Sequence, residues 1–183
     1  MSNYLIFLAL LCLIMVGFLI LYILVLIDQL MGHTLPTSLK ATEKIIEVIK
    51  EINPDATNFY DLGCARGRFA LAIKKQLPSI EVVAIDNSRL RIFFAKIRAL
   101  ILHRKIKFIK NDIFKQNLSE VDVLYSYLWY DWLPPLEEKL KKELKKGSVV
   151  ITNTSCFPNW NPIQTIILNP QKPDFEKLFV YIK

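Results

Sequence analysis

Three carboxylates, Asp61, Asp86 and Asp112, each close an apolar run, and the runs follow one another like successive strands of one sheet. Directly after the first comes Asp61-Leu62-Gly63-Cys64-Ala65-Arg66-Gly67, a G-x-A-x-G turn. Its small residues let backbone amides approach a ligand without a Cβ in the way. A helix opening near Gly67 turns its amino end toward the same space. An acid at the second strand tip, Asp86, can accept from both hydroxyls of a ribose, and Asn111-Asp112 at the third can accept from an adenine amino group. A dinucleotide would need G-x-G-x-x-G to rest its pyrophosphate on the helix, but counting from Gly63 the third glycine falls on Arg68. The spacing suits S-adenosylmethionine, which carries no phosphate. An NAD site uses a ribose acid in the same way, so Asp86 alone does not discriminate. The plainer alternative is that each acid merely caps a turn, and it weighs most for Asp112.

These residues need a scaffold, and the pattern around them supplies one. Strand-like runs fall at 58–62, 81–85, 106–109, 121–125 and 148–152, with helix-like runs at 68–76, 89–102 and 135–145. Strands alternating with helices predict an α/β fold: a mostly parallel sheet with helices on both faces. The runs 164–168 and 178–182 suggest a final antiparallel pair. Thr37 or Ser38 can cap a preceding helix in which Ile45, Ile46, Ile49 and Ile52 recur at helical spacing.

The chain has 183 residues and net charge +7, and residues 4–27 carry no charged side chain. Those 24 residues at helical rise span roughly 36 Å, enough to cross a hydrocarbon core of about 30 Å with tilt. A cleaved secretory signal would need a basic start, a shorter apolar core and a small-residue cleavage site, none of which is present. One N-terminal transmembrane helix is therefore expected over residues 1–30, a connector over 31–40, and a single domain over 41–183. Gly32 and Pro36 mark the connector. All 24 Lys and Arg follow residue 39, and the positive-inside bias places the domain in the cytoplasm, or in the matrix if the membrane is organellar. A basic domain beside a bilayer is drawn to anionic headgroups, although a merely solvated basic surface is the rival reading. Nucleic acid is not expected, because the bases are spread out and no recognised motif appears. Cys12, Cys64 and Cys156 form no CxxC and lie far from His33 and His103, so no metal site is expected. Cys64 has no histidine partner that would make it a nucleophile.

Asp61-Leu62-Gly63-Cys64-Ala65-Arg66-Gly67, with Asp86 and Asp112, resembles the cofactor site of class I S-adenosylmethionine-dependent methyltransferases. The resemblance extends through Leu35-Pro36-Thr37, Asn111-Asp112-Ile113-Phe114, Leu136-Glu137-Glu138-Lys139-Leu140 and Phe157-Pro158-Asn159-Trp160-Asn161-Pro162. With the apolar N-terminus, these strings are similar to the membrane-anchored protein-lysine methyltransferases that act on the c ring protein of ATP synthase and on the adenine nucleotide translocase. The resemblance implies a Rossmann-like sheet and a cofactor held by Asp61, Gly63, Ala65, Gly67, Asp86, Asn87 and Asp112. It also implies a protein substrate in or beside the membrane. The family pattern at the turn is close to DLGSGDGR. Ala65 here replaces the middle glycine, tolerable if its φ stays negative. Arg66 replaces an acid, to pair with the cofactor's carboxylate or to point to solvent.

Methyl transfer is an in-line displacement, so the protein mainly supplies alignment. A lysine acceptor must also be neutral, which an apolar pocket promotes by desolvation. Tyr127, Trp129 and Asp131 follow the fourth strand, where such enzymes bring the acceptor. Aromatic faces suit an alkylammonium there, with Asp131 guiding it inward. Tyr130, Phe157 and Trp160 are expected to wall the same pocket. The same aromatics also fit plain core or membrane-interface anchors. Two other functions remain open at this point: methylation of a small apolar acceptor such as a quinone or lipid, and a non-catalytic membrane adaptor that keeps the fold.

Overall fold

The computed structural model describes residues 2–31, 35–173 and 175–183. Two compact units divide the chain, Met1–Leu35 and Pro36–Lys183. The first is one helix, α1 (Ser2–Met31). Its stretch Asn3–Ile27 has mean hydropathy 3.2, long and apolar enough to cross a membrane. The helix runs slightly past the expected end of the span. Gly32, His33 and Thr34 of the expected connector lie outside the described residues.

The second unit begins with α2 (Leu39–Ile52), started by Ser38, whose side chain accepts from the Ala41 amide at 3.0 Å. Its apolar stripe, Ile45, Ile46 and Ile49, is buried. Then follow β1 (Asn58–Leu62), α3 (Arg68–Gln76), β2 (Glu81–Asp86), α4 (Arg89–Ile101), β3 (Lys107–Lys110) and β4 (Val123–Ser126). A 3-10 turn (Tyr130–Trp132) leads into α5 (Leu133–Glu143), and β5 (Val149–Asn153), β6 (Gln164–Ile167) and β7 (Lys177–Ile182) complete the unit. The helix expected from 135 starts at Leu133. Pro134 and Pro135 occupy its first turn, where an amide hydrogen has no intrahelical partner to lose.

The sheet order is β3-β2-β1-β4-β5-β7-β6. The first five strands pair in parallel, and β7 is antiparallel to both β5 and β6. The final pair expected from the sequence therefore forms, with β7 slotted between β5 and β6. Residues from α2, α3 and α4 pack in one core layer, and those of α5 pack in the other. Strand order reverses between β1 and its neighbours β2 and β4, so a crevice opens outside their carboxyl ends. This is a Rossmann-like fold.

Candidate active site

The turn after β1 explains its own spelling. Gly63, Ala65 and Gly67 have φ of 82°, 47° and 69°, so every second residue is left-handed. Alternating handedness aims successive amides to one side and makes a concavity for a polar ligand. The amides of Gly63 and Cys64 both donate to the Ile85 carbonyl at 2.9 Å, fastening the turn to β2. At Gly67 an added Cβ would sit 2.7 Å from Phe108 Cε1 and 3.0 Å from Ala95 Cβ. The turn thus nests against β3 and α4. The condition set for Ala65 is not met: its φ is positive, and an L side chain there costs roughly 1–2 kcal/mol.

Asp61 and Asp86 are both buried at the tips of adjacent strands. Asp86 fixes the turn: Oδ2 accepts from the Ala65 amide and Oδ1 from the Ser88 amide, each at 2.9 Å. Asp61 accepts from the Ala70 amide in the first turn of α3, whose N-cap, Gly67, has no side chain to offer. Its other oxygen, Oδ2, is buried without a partner. Burial first, and then the Asp86 charge, push its pKa up to about 8, against the Ala70 hydrogen bond. On β4, Ser126 Oγ is also buried and unpartnered, and Ser126 lies beside Leu62 in the sheet register. Two orphaned polar atoms at neighbouring strand tips call for a ligand that satisfies both. An ammonium carries three donors and a positive charge that favours ionisation of Asp61, which fits the amino-acid end of S-adenosylmethionine.

The remaining expected residues are dispersed around this centre. Asn87 is exposed just past β2. Asp112 Oδ1 accepts from the Phe114 amide at 3.0 Å, so this acid does cap its own turn. Arg66 and Arg68 lie near Arg98, whose pKa is lowered by burial and then by their repulsion. Cys64 is buried, and burial with the nearby Asp61 and Asp86 charges pushes its thiol far up, leaving it inert. Tyr127 is half-buried, with its hydroxyl 3.4 Å from Thr154 Oγ1. Trp129, Tyr130 and Asp131 are exposed beyond β4. Trp132 stacks on Phe114 at 5.7 Å, and the two line an open hollow with Asp131 and Pro135. Phe157 is buried, stacked on Trp160 at 5.7 Å and tilted against Tyr181 at 5.0 Å. Glu137 of α5 holds that loop by accepting from the Asn159 amide at 2.9 Å and from Lys141 Nζ at 2.5 Å. Phe157 and Trp160 therefore pack in the layer on the α5 side, where two of the strings that carry the resemblance, 136–140 and 157–162, meet.

A buried polar chain was not foreseen. The Tyr125 hydroxyl bonds Thr37 Oγ1 at 2.7 Å and accepts from Asn153 Nδ2 at 3.1 Å, and Asn153 Nδ2 also donates to Glu176 Oε1 at 2.9 Å. Burial raises the Tyr125 pKa, so the phenol stays protonated. The one signal for this polar chain is a polar residue closing an apolar strand, Asn153 at the end of β5.

A mostly parallel Rossmann-like sheet with acids at neighbouring tips and a left-handed glycine turn fits an S-adenosylmethionine-dependent methyltransferase, and that is the class of this chain. The sequence pattern of the ANTKMT methyltransferase domain matches residues 61–164, and the chain belongs to that family. Among similar proteins is a protein-lysine N-methyltransferase of Saccharolobus islandicus (strain REY15A). It is 29% identical over 133 residues, covering 72% of this chain and 81% of that protein. The ATP synthase c-subunit lysine N-methyltransferase of Mus musculus is 27% identical over 128 residues, 68% of this chain; the match spans 51% of that protein, about half its length. An RNA methyltransferase from Salinibacter ruber, solved with S-adenosyl-L-homocysteine, shares the fold. Its TM-score is 0.71 at 19% identity, over 81% of this chain and 93% of that one. S-Adenosylmethionine is accordingly the cofactor.

Proposed function

We propose that this chain is a membrane-anchored protein-lysine N-methyltransferase that acts on a membrane or membrane-adjacent protein. The match over 81% of the length of the Saccharolobus islandicus protein-lysine N-methyltransferase carries the reading. Residues 1–30 are its anchor, 31–40 its connector and 41–183 its catalytic domain. The 24 Lys and Arg beyond residue 39 favour a cytoplasmic or matrix-facing domain. Confinement to the substrate's own surface raises effective concentration.

When bound, S-adenosylmethionine supplies an activated methyl group on a sulfonium that needs no acid to leave. Asp61 and Ser126 hold the amino-acid end through the two atoms that otherwise lack partners. Gly63, Ala65 and Gly67 present the turn. Asp86 has a spare lone pair on each oxygen for the ribose hydroxyls, Asn87 flanks it, and Asp112 receives the adenine edge. Tyr127, Trp129 and Asp131 orient the acceptor, and Tyr130 forms the outer wall. Tyr127, the half-buried ring of the set, offers the apolar wall that favours the neutral amine that attacks. Phe157 and Trp160 act through packing, since their rings are committed to Tyr181.

The test is transfer of labelled methyl from S-adenosylmethionine to membranes by the detergent-solubilised full chain. Label that migrates with protein and yields methyllysine on hydrolysis supports the proposal. Label extracted with lipid would instead mark a quinone or lipid acceptor. No transfer to either fraction would leave a non-catalytic adaptor.

A further inference from the structure

We propose that the outer face of α4 is a second membrane contact, an amphipathic surface that lies in the headgroup layer of an anionic bilayer. This rests on the membrane-anchored reading and extends it to a second element.

Helix α4 is apolar on two sides. Ile92, Ala95 and Ala99 are buried against the sheet. On the far side Phe93, Ile97, Leu100 and Ile101 are 51%, 39%, 75% and 69% exposed. Their spacing, i, i+4, i+7 and i+8, makes one continuous stripe. Isolated exposed apolar residues need no explanation, but a contiguous row of four marks a contact surface. The charge around the stripe is one-sided: residues 87–111 hold eight Lys and Arg and no Asp or Glu. Lys74, Lys96, Arg104, Lys105 and Lys107 outnumber the one acid, Glu81, around an open depression beside Leu100, at the amino ends of β2 and β3. Arg98 adds to this field, crowded by Arg66 and Arg68.

An apolar stripe rimmed by cations, with no acid for 25 residues, fits one kind of partner. Interfacial helices bind bilayers with such a face: the apolar row enters the acyl boundary while Lys and Arg meet anionic headgroups. A nucleic acid would meet the cations but leave the stripe in water. A second copy of the chain would oppose cation to cation.

The experiment uses the full chain, one per nanodisc, in phosphatidylcholine with phosphatidylglycerol and a lipid-borne doxyl quencher. A fluorophore is placed at Leu100→Cys in a Cys12→Ser, Cys156→Ser background; Cys64 is buried and stays unlabelled. Lys142→Cys in the same background, on the exposed side of α5, is the control outside the bilayer, and a separate Cys156→Ser chain that keeps native Cys12 in α1 reports the anchor. The Leu100 position should be quenched about threefold more than Lys142. Arg104→Glu with Lys105→Glu should cut that excess about twofold. Equal quenching at Leu100 and Lys142 with Cys12 quenched overturns this proposal and leaves the anchor standing. An unquenched Cys12 overturns the anchor reading and this proposal with it. Shielding of Leu100 only in vesicles holding many chains assigns the stripe to a second copy, and overturns it as well.

Discussion

Asp61→Asn should stabilise the empty enzyme while disabling it. The Asp61 pKa is raised from 3.8 to about 8, so folding holds back its ionisation. Below about pH 4 the carboxyl is protonated in both states and costs nothing. As pH rises, the unfolded chain ionises first, and the penalty grows until the folded group ionises near 8, then levels off. At pH 7 about three pK units are in play, and at about 1.4 kcal/mol per unit the burden is about 4 kcal/mol. Asparagine keeps an oxygen for the Ala70 amide and removes both the ionisation and the repulsion from Asp86. For a domain of this size that corresponds to a melting temperature roughly 8–16 °C higher at neutral pH. The assay is thermal unfolding of the full chain in detergent, variant against wild type, across a pH series. The gap should be small near about pH 4.5 and widest near about pH 8. S-Adenosyl-L-homocysteine should stabilise only the wild type. A gap independent of pH would refute the raised pKa and the role built on it.

Ala65→Gly should relieve the left-handed side chain and raise stability by about 0.5–1 kcal/mol, less than the full strain because glycine is freer when unfolded, as denaturant midpoints would show. Gly67→Ala should cost about 3 kcal/mol or more in the same assay, since its Cβ would meet Phe108 and Ala95 as well as a left-handed φ. Gly63→Ala should cost less, because its nearest neighbour at 2.8 Å is the end of the Leu128 side chain, which can move. Asp122, held near pKa 2 by Lys145, Thr57 and Asn58 against the opposing effect of burial, ties β1 to β4. Asp122→Asn should lower stability by about 1 kcal/mol at pH 7. That difference should vanish as pH falls through about 2 and wild-type Asp122 takes up its proton.

The strand pattern was readable because buried parallel strands are apolar runs, and β1 fell on its expected residues. The cofactor turn was readable because left-handed backbone selects glycine, and alternation at 63, 65 and 67 leaves a visible period. The condition on Ala65 fails for the same reason: residue type suggests φ, and only the neighbouring chain fixes it. Asp112 and Phe157 show the other limit. An acid after a strand does not show in the sequence that one of its oxygens also caps its own turn, as in Asp112, and an aromatic string looks alike in a pocket or in a core. Ser126 and the Thr37–Tyr125–Asn153–Glu176 chain were missed because burial and the lack or presence of partners depend on strands far apart in sequence.

The bond from Thr37 to Tyr125 has a mechanical meaning. It latches the segment just before α2 onto the carboxyl ends of the strands, so a pull arriving along residues 36–38 is borne first by β4 and β5. Removing that latch with Thr37→Val would pass the load to α2 instead and uncouple the reaction floor from the leading segment, without touching a single atom that meets the methyl donor.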